Sequence, residues 1–169
     1  MKSWPAGILL AAIWAAALWI TLTPEVAGGH GAVHSRFSQM DQGGGGLERH
    51  GPVFAAAWLL GSVMIAMFVS LLAWQTRGGR RSWPLFLVGG AVYEAVFSMM
   101  CWTYWHSLAD PLEASFWGSF PVPVAWLVYG IWLFPGFFIT MYVMRFDEWI
   151  LPEASTRRFE ELLKARQQS

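Results

Sequence analysis

Residues 85–106 read LFLVGGAVYEAVFSMMCWTYWH. The run is long and apolar enough to cross a bilayer as a helix, a task that takes about 20 residues. It carries one acid, Glu94, near its middle. An ionised carboxylate at the centre of a membrane helix costs roughly 2.5–3.5 kcal/mol on insertion scales. A chain keeps such a group only where it is neutral, paired or turned toward a wet cavity. The flanking segments are therefore expected to house this helix.

Composition agrees with a membrane setting. Of 169 residues, 56% are hydrophobic and 13% charged, against about 25% charged in soluble domains. A large soluble domain is excluded. Acids and bases balance at 11 each, so net charge points to no nucleic-acid partner. Twelve Trp and twelve Phe suit membrane interfaces and apolar pockets. Cys101 is the single cysteine, which rules out an intrachain disulfide or a cysteine metal cluster. A lone thiol in an apolar run reads as a small core residue.

Three further apolar runs, residues 4–22, 52–74 and 121–144, join the central one, taken as 83–106. Together they predict an all-α integral membrane four-helix bundle over residues 1–151, then a tail over 152–169. Lys2 before the first run also fits a cleaved signal peptide. That run is long for one and no Ala-x-Ala site follows, so a membrane helix is the favoured reading. Residues 28–51 form a polar, Gly-rich loop, and the glycines at 43–46 disfavour helix there. Ala55, Ala56, Ala57, Gly61 and Ser62 offer small surfaces for close helix approach. Pro135-Gly136 predicts a kink in the fourth span. Arg77, Arg80 and Arg81 place the second loop in the cytoplasm. Both termini then lie there too, while the histidine-bearing first loop and the third loop, with Asp110 and Glu113, face outward. In the tail, Phe159, Leu162 and Leu163 share one helical face, and Glu160 precedes Lys164 by four. This reads as an amphipathic helix on the cytoplasmic membrane surface or on a partner, or as a solvated tail.

Candidate chemistry centres on Glu94. On a helix, Gly90, Ser98, Cys101 and Trp105 share its face. At 1.5 Å per residue, Trp14, Ser62, Tyr129 and Trp132 lie at similar depth on other spans. A pocket around Glu94 is expected, with Ser62, Ser98, Trp102, Trp105, Tyr129 and Trp132 as ligand-binding residues. Desolvation favours the neutral form of a carboxyl, so Glu94 is the candidate catalytic acid. The alternative is an interhelical hydrogen bond from Glu94 to a Ser, Tyr or Trp. His30 and His34 have helical spacing, with Asp41, Glu48 and His50 nearby, but the surrounding glycines remove its meaning; no metal site is assigned. With no histidine mid-span, haem is not expected either, and no cofactor is. Trp102, Tyr104, Trp105 and His106 form an aromatic end to the third span, either an interface belt or a pocket mouth.

The pattern Gly89-Gly90-Ala91, Glu94, Trp102-Thr103-Tyr104-Trp105, residues 116–123 (FWGSFPVP) and Tyr129 resembles polytopic bacterial membrane proteins related to the avermectin spirocyclase. The resemblance covers residues 89–129. Ala95 stands where that family carries Pro, Ser98 where it carries a second acid, and His106 where it carries Pro. The resemblance implies a multi-pass protein of the bacterial cytoplasmic membrane that handles a polyketide-, terpenoid- or lipid-like molecule, with Glu94 as the carried-over acid. A second reading is a non-catalytic accessory subunit that meets a membrane-protein partner or another copy of itself. The tail from Arg145 to Arg166 is similar to that of small subunits of sodium-coupled symporters. An enclosed cavity reaching Glu94 would favour the first reading, and a filled interior with a broad exposed groove of small residues the second.

Overall fold

The computed structural model describes residues 4–27, 32–33, 36–37, 39, 41–42, 46–76, 82–109, 115–149 and 153–167. Lys2, His30, His34, Arg77, Arg80, Arg81, Asp110 and Glu113 lie outside these residues. The chain is mostly helical, and four helices are long and apolar enough to span a membrane: Trp4–Leu22, Gly46–Gln75, Trp83–Leu108 and Val122–Met144.

Helix α1 (Trp4–Leu22) is apolar on all sides and buries only Ala16 among its residues, as expected of a helix largely surrounded by lipid. Two-residue strands β1 (Ala32–Val33) and β2 (Asp41–Gln42) pair antiparallel within the first loop. Helix α2 (Gly46–Gln75) packs on α1 and on α3 (Trp83–Ala109). A second hairpin, β3 (Phe116–Trp117) with β4 (Phe120–Pro121), leads into the fourth span. That span comprises α4 (Val122–Ala125), a π-helical turn (Trp126–Ile131) and α5 (Phe134–Met144). Two more helices follow, α6 (Phe146–Trp149) and α7 (Glu153–Gln167). Principal packing runs α1 to α2, α2 to α3, and α3 to the fourth span. Helix α3 is thus the central member, with one face on α2 and another on the fourth span.

Two boundaries differ from the sequence reading, for physical reasons. Helix α2 begins at Gly46 rather than Pro52, although it carries glycine and an internal proline. Its added turns pack on the end of α3. His50 meets Tyr104 edge-on at 5.9 Å, Phe54 meets Trp105 at 4.6 Å, and a Cβ on Gly46 would lie 2.6 Å from Leu108. Tertiary packing here overrides a local preference of about 1 kcal/mol per glycine. The fourth span is not one kinked α-helix. The N–H of Trp132 donates to the Leu127 carbonyl at 3.1 Å, an i to i+5 bond, and Pro135 sits in the first turn of α5. There its missing N–H costs little.

Glycines set the helix separations. A Cβ on Gly61 would lie 2.2 Å from the Phe97 ring, and one on Gly90 would lie 3.1 Å from Val69; both draw α2 to α3. On the other face of α3, a Cβ on Gly89 would lie 3.1 Å from Phe137 and Phe138, and one on Gly130 would lie 2.4 Å from Val96. Small residues do this in membranes because close packing, rather than water exclusion, drives helix association.

The best-packed region lies where α2 ends, α3 begins and α5 meets α6. Phe86, Phe138 and Trp149 are each 1% exposed there. Phe86 stacks parallel to Phe138 at 6.3 Å and packs on Trp149 at 5.3 Å; the Tyr142 hydroxyl donates to the Leu72 carbonyl. The α5 helix stops at Arg145, which lets α6 turn back and seat Trp149. On α7, Phe159, Leu162 and Leu163 are exposed together with the charged residues around them.

Candidate functional site: a groove around Glu94

Glu94 lies halfway along α3, with Gly90 one turn before it and Ser98 one turn after. It is half-buried between α3 and α2. From α2, the Ser62 hydroxyl donates to Glu94 Oε1 at 2.6 Å. From α3 itself, the Ser98 hydroxyl donates to the same oxygen at 3.3 Å. Trp58 Nε1 donates to Ser98 Oγ at 3.1 Å. An indole N–H can only donate, so Ser98 accepts from Trp58 and its own proton is free for the carboxyl. The chain of bonds therefore has one direction, from Trp58 through Ser98 to Glu94, with Ser62 entering from the side.

Both donors end on Oε1. No described residue donates to Oε2, and no described side-chain oxygen or nitrogen is both fully buried and without a partner. Oε2 is therefore the oxygen left accessible. Glu94 lines an open-sided groove of about 600 Å³, within the size range of small-molecule sites. Trp58, Ser62, Ala66 and Ser70 line it from α2, and Phe86, Gly90, Ala91, Glu94 and Ser98 from α3. The wall is mainly apolar; Trp58, Ser62 and Ser98 gather at the carboxyl, and Ser70 lies two turns further along α2.

Of the residues expected around Glu94, the structure brings Ser62 and Ser98 to it. Trp102, Trp105, Tyr129 and Trp132 are not among the groove's lining residues. Trp102 is 61% exposed and rests edge-on against His106 at 4.5 Å. Trp105 packs on Phe54. Trp132 is 78% exposed. Tyr129 lines a separate hollow on the far side of α3, beside Trp117 and Trp126. Trp14 on α1 is 64% exposed. Trp58 was missed, although it lies four residues before Ser62 and so shares its helical face.

The arrangement can hold a carboxyl in an apolar wall with one oxygen satisfied and the other free. It can accept a hydrogen bond at Oε2 or, when the carboxyl carries its proton, donate one there. Among the described residues, no second acid lines the groove and no group of three or more His, Cys, Asp or Glu is placed to hold a metal ion. Comparison of the chain with protein-family models, with curated proteins and with solved structures finds no match.

Proposed function

We propose that the chain is a membrane-embedded receptor or converter for a hydrophobic small molecule of polyketide, terpenoid or lipid type. The guest enters the α2–α3 groove sideways from the bilayer and engages Glu94 Oε2 with a hydroxyl, amine or ether oxygen. One observation carries this reading: Glu94 lines a 600 Å³ apolar groove, and no described residue donates to its Oε2. An oxygen left so in oil loses the hydrogen bonding it would find in water, and a guest with a matching group restores it. Proton transfer from Oε2 to a guest oxygen, the step a spirocyclase-like acid performs, is the catalytic extension of the same site. Among the described lining residues Glu94 is the one acid, so binding is the better supported half. The proposed setting is the bacterial cytoplasmic membrane, with both termini and the amphipathic α7 on the cytoplasmic side.

The test is purification of the full chain in mild detergent, followed by mass spectrometry of what co-purifies. A molecule of the proposed class is expected with the native chain. Glu94→Gln should reduce its retention on the order of tenfold, the usual worth of a hydrogen bond to a charged group. Equal retention by a folded Glu94→Gln chain would remove the carboxyl from the site.

The open side of the groove favours a second reading, an accessory subunit. Ser62, Ala66, Ser70, Gly90 and Ala91 are small enough for a fifth helix to lie against them. A photo-crosslinking side chain at Ala66, used in native membranes, separates the two. A lipid-sized adduct supports the guest, and a protein adduct supports a partner or a second copy.

A further inference from the structure

The far side of α3 carries a second hollow, of about 350 Å³, unrelated to Glu94. Its mouth is built by the β3–β4 hairpin. Gly118 has φ +64°, and no other residue of the turn is left-handed, the pattern of a type II′ hairpin turn, whose first central position favours glycine. The tight turn brings Trp117 over the start of the fourth span. Trp117 lies 5.7 Å from Trp126 at an interplanar angle of 68°, and 6.2 Å from Tyr129 at 66°. All three rings line the same hollow, which continues past Gly130 and Leu133 to Phe137.

Trp126, Tyr129 and Gly130 belong to the π-helical turn. Such turns are rare and frequent at functional sites. An ordinary interface belt needs only rings lying singly among headgroups. Here the rings stand at steep angles around one space, and below them runs a slot lined by apolar side chains. Trp117, Trp126 and Tyr129 all line this space, and the face of such a ring attracts a cation within about 6 Å of its centroid. Charge agrees: between His106 and Arg145 the sequence has two acids, Asp110 and Glu113, and no Lys or Arg. No basic residue of this stretch competes for the rings.

We propose that this hollow binds a quaternary ammonium group attached to an apolar chain, the head against Trp117, Trp126 and Tyr129 and the chain along Leu133 to Phe137. Its source is either a choline-type lipid headgroup or a free cationic amphiphile. A hydrogen-bonding ammonium fits less well, because among the described lining residues the Tyr129 hydroxyl is the one side-chain oxygen that could accept its hydrogen bonds.

The test uses the full chain in neutral detergent and titrates three probes by microscale thermophoresis. They are dodecyltrimethylammonium, its uncharged tert-butyl isostere of equal chain length, and choline without a chain. The charged amphiphile is expected to bind about threefold to thirtyfold more tightly than the isostere, the range of a cation–π contact. Trp117→Leu should abolish that preference while leaving the weaker, chain-driven binding. Trp117→Phe should retain part of it, which separates a lost ring face from a misfolded hairpin. Competition by choline alone assigns the site to a free solute, and competition only by phosphatidylcholine vesicles assigns it to a lipid headgroup; both support the proposal. Equal affinity for the cation and its isostere, or no binding of either, overturns it.

Discussion

Against the fourth span, α3 sets Gly89 beneath Phe138 and Val96 onto Gly130. Against α2, the same helix leaves about 600 Å³ open around Glu94. The two faces are made from similar residues. Both use a glycine to bring the helices close, and both lie within spans of comparable hydropathy. They differ in what fills the gap. The first is filled toward α6 by Phe86, Phe138, Tyr142 and Trp149, whose rings contact one another at 5.3 to 6.3 Å, while beside Val96 and Gly130 it carries the aromatic hollow. The second is edged by Ser62, Ala66, Ser70, Gly90 and Ala91, of which Ser62 reaches across to Glu94. In lipid, an aromatic cluster and a row of serines are not ranked by hydrophobicity, since lipid tails compete equally for both. They are ranked by packing. The comparison teaches that the aromatic face holds the bundle together and leaves the serine face free to present an acid.

The largest expected effect falls on the filled face. Phe86→Ala removes a ring that is 1% exposed and touches Phe138, Tyr142 and Trp149. The loss should be about 3 kcal/mol of stability, read as a lower Tm in detergent. A change comparable to that of an exposed site would mean that the cluster does not hold the spans together. Next comes Gly130→Ala. Its new Cβ would sit 2.4 Å from Val96 Cγ1, and a β-branched side chain has few rotamers with which to yield. Overpacking of this kind costs about 1–3 kcal/mol. Val96→Ala in the same chain should restore most of the loss, which a purely local helix effect at Gly130 would not allow.

On the open face the expected effects shrink. Ser62→Ala removes the 2.6 Å bond to Glu94. Interhelical hydrogen bonds in membranes average about 0.6 kcal/mol, so Tm should barely move. Retention of a guest should fall instead, because the carboxyl loses the donor from α2 and is held only by Ser98. A large fall in Tm with unchanged retention would reverse the division of labour between the faces.

How much of this was legible depends on rotation about each helix axis. The four apolar spans and the mid-span position of Glu94 follow from length and composition alone. Ser98 follows from a spacing of four on the same helix, and Ser62 from counting 1.5 Å per residue along an adjacent span. Trp58 was legible in the same way, four before Ser62, but depth was weighed and face was not. The fourth span is different. Depth sets Tyr129 and Trp132 level with Glu94, yet a π-helical turn spans Trp126 to Ile131. One added residue swings the following face by about 100°. No count along the sequence recovers such a shift, because it arises where Gly130 closes on Val96. The early start of α2 was hidden for a related reason, since the contacts of Gly46 with Leu108 and of Phe54 with Trp105 join segments distant in sequence.

Trp132 supplies the smallest expected effect and the sharpest control. It was placed at the depth of Glu94 by sequence, and it is 78% exposed in the structure. It lines neither the groove nor the aromatic hollow. Trp132→Leu exchanges one exposed apolar side chain for another and should change stability by less than about 0.5 kcal/mol. It should also leave guest retention and the preference for a quaternary ammonium untouched. An effect on guest retention would require Trp132 to turn inward across α3, which means that the π-helical turn relaxes to an ordinary α-helical one when the groove is filled. The same change would carry Tyr129 off the hollow, so ammonium binding and guest binding would then oppose each other. With the turn fixed, the two sites on opposite faces of α3 load independently, and measuring each ligand in the presence of the other distinguishes the cases.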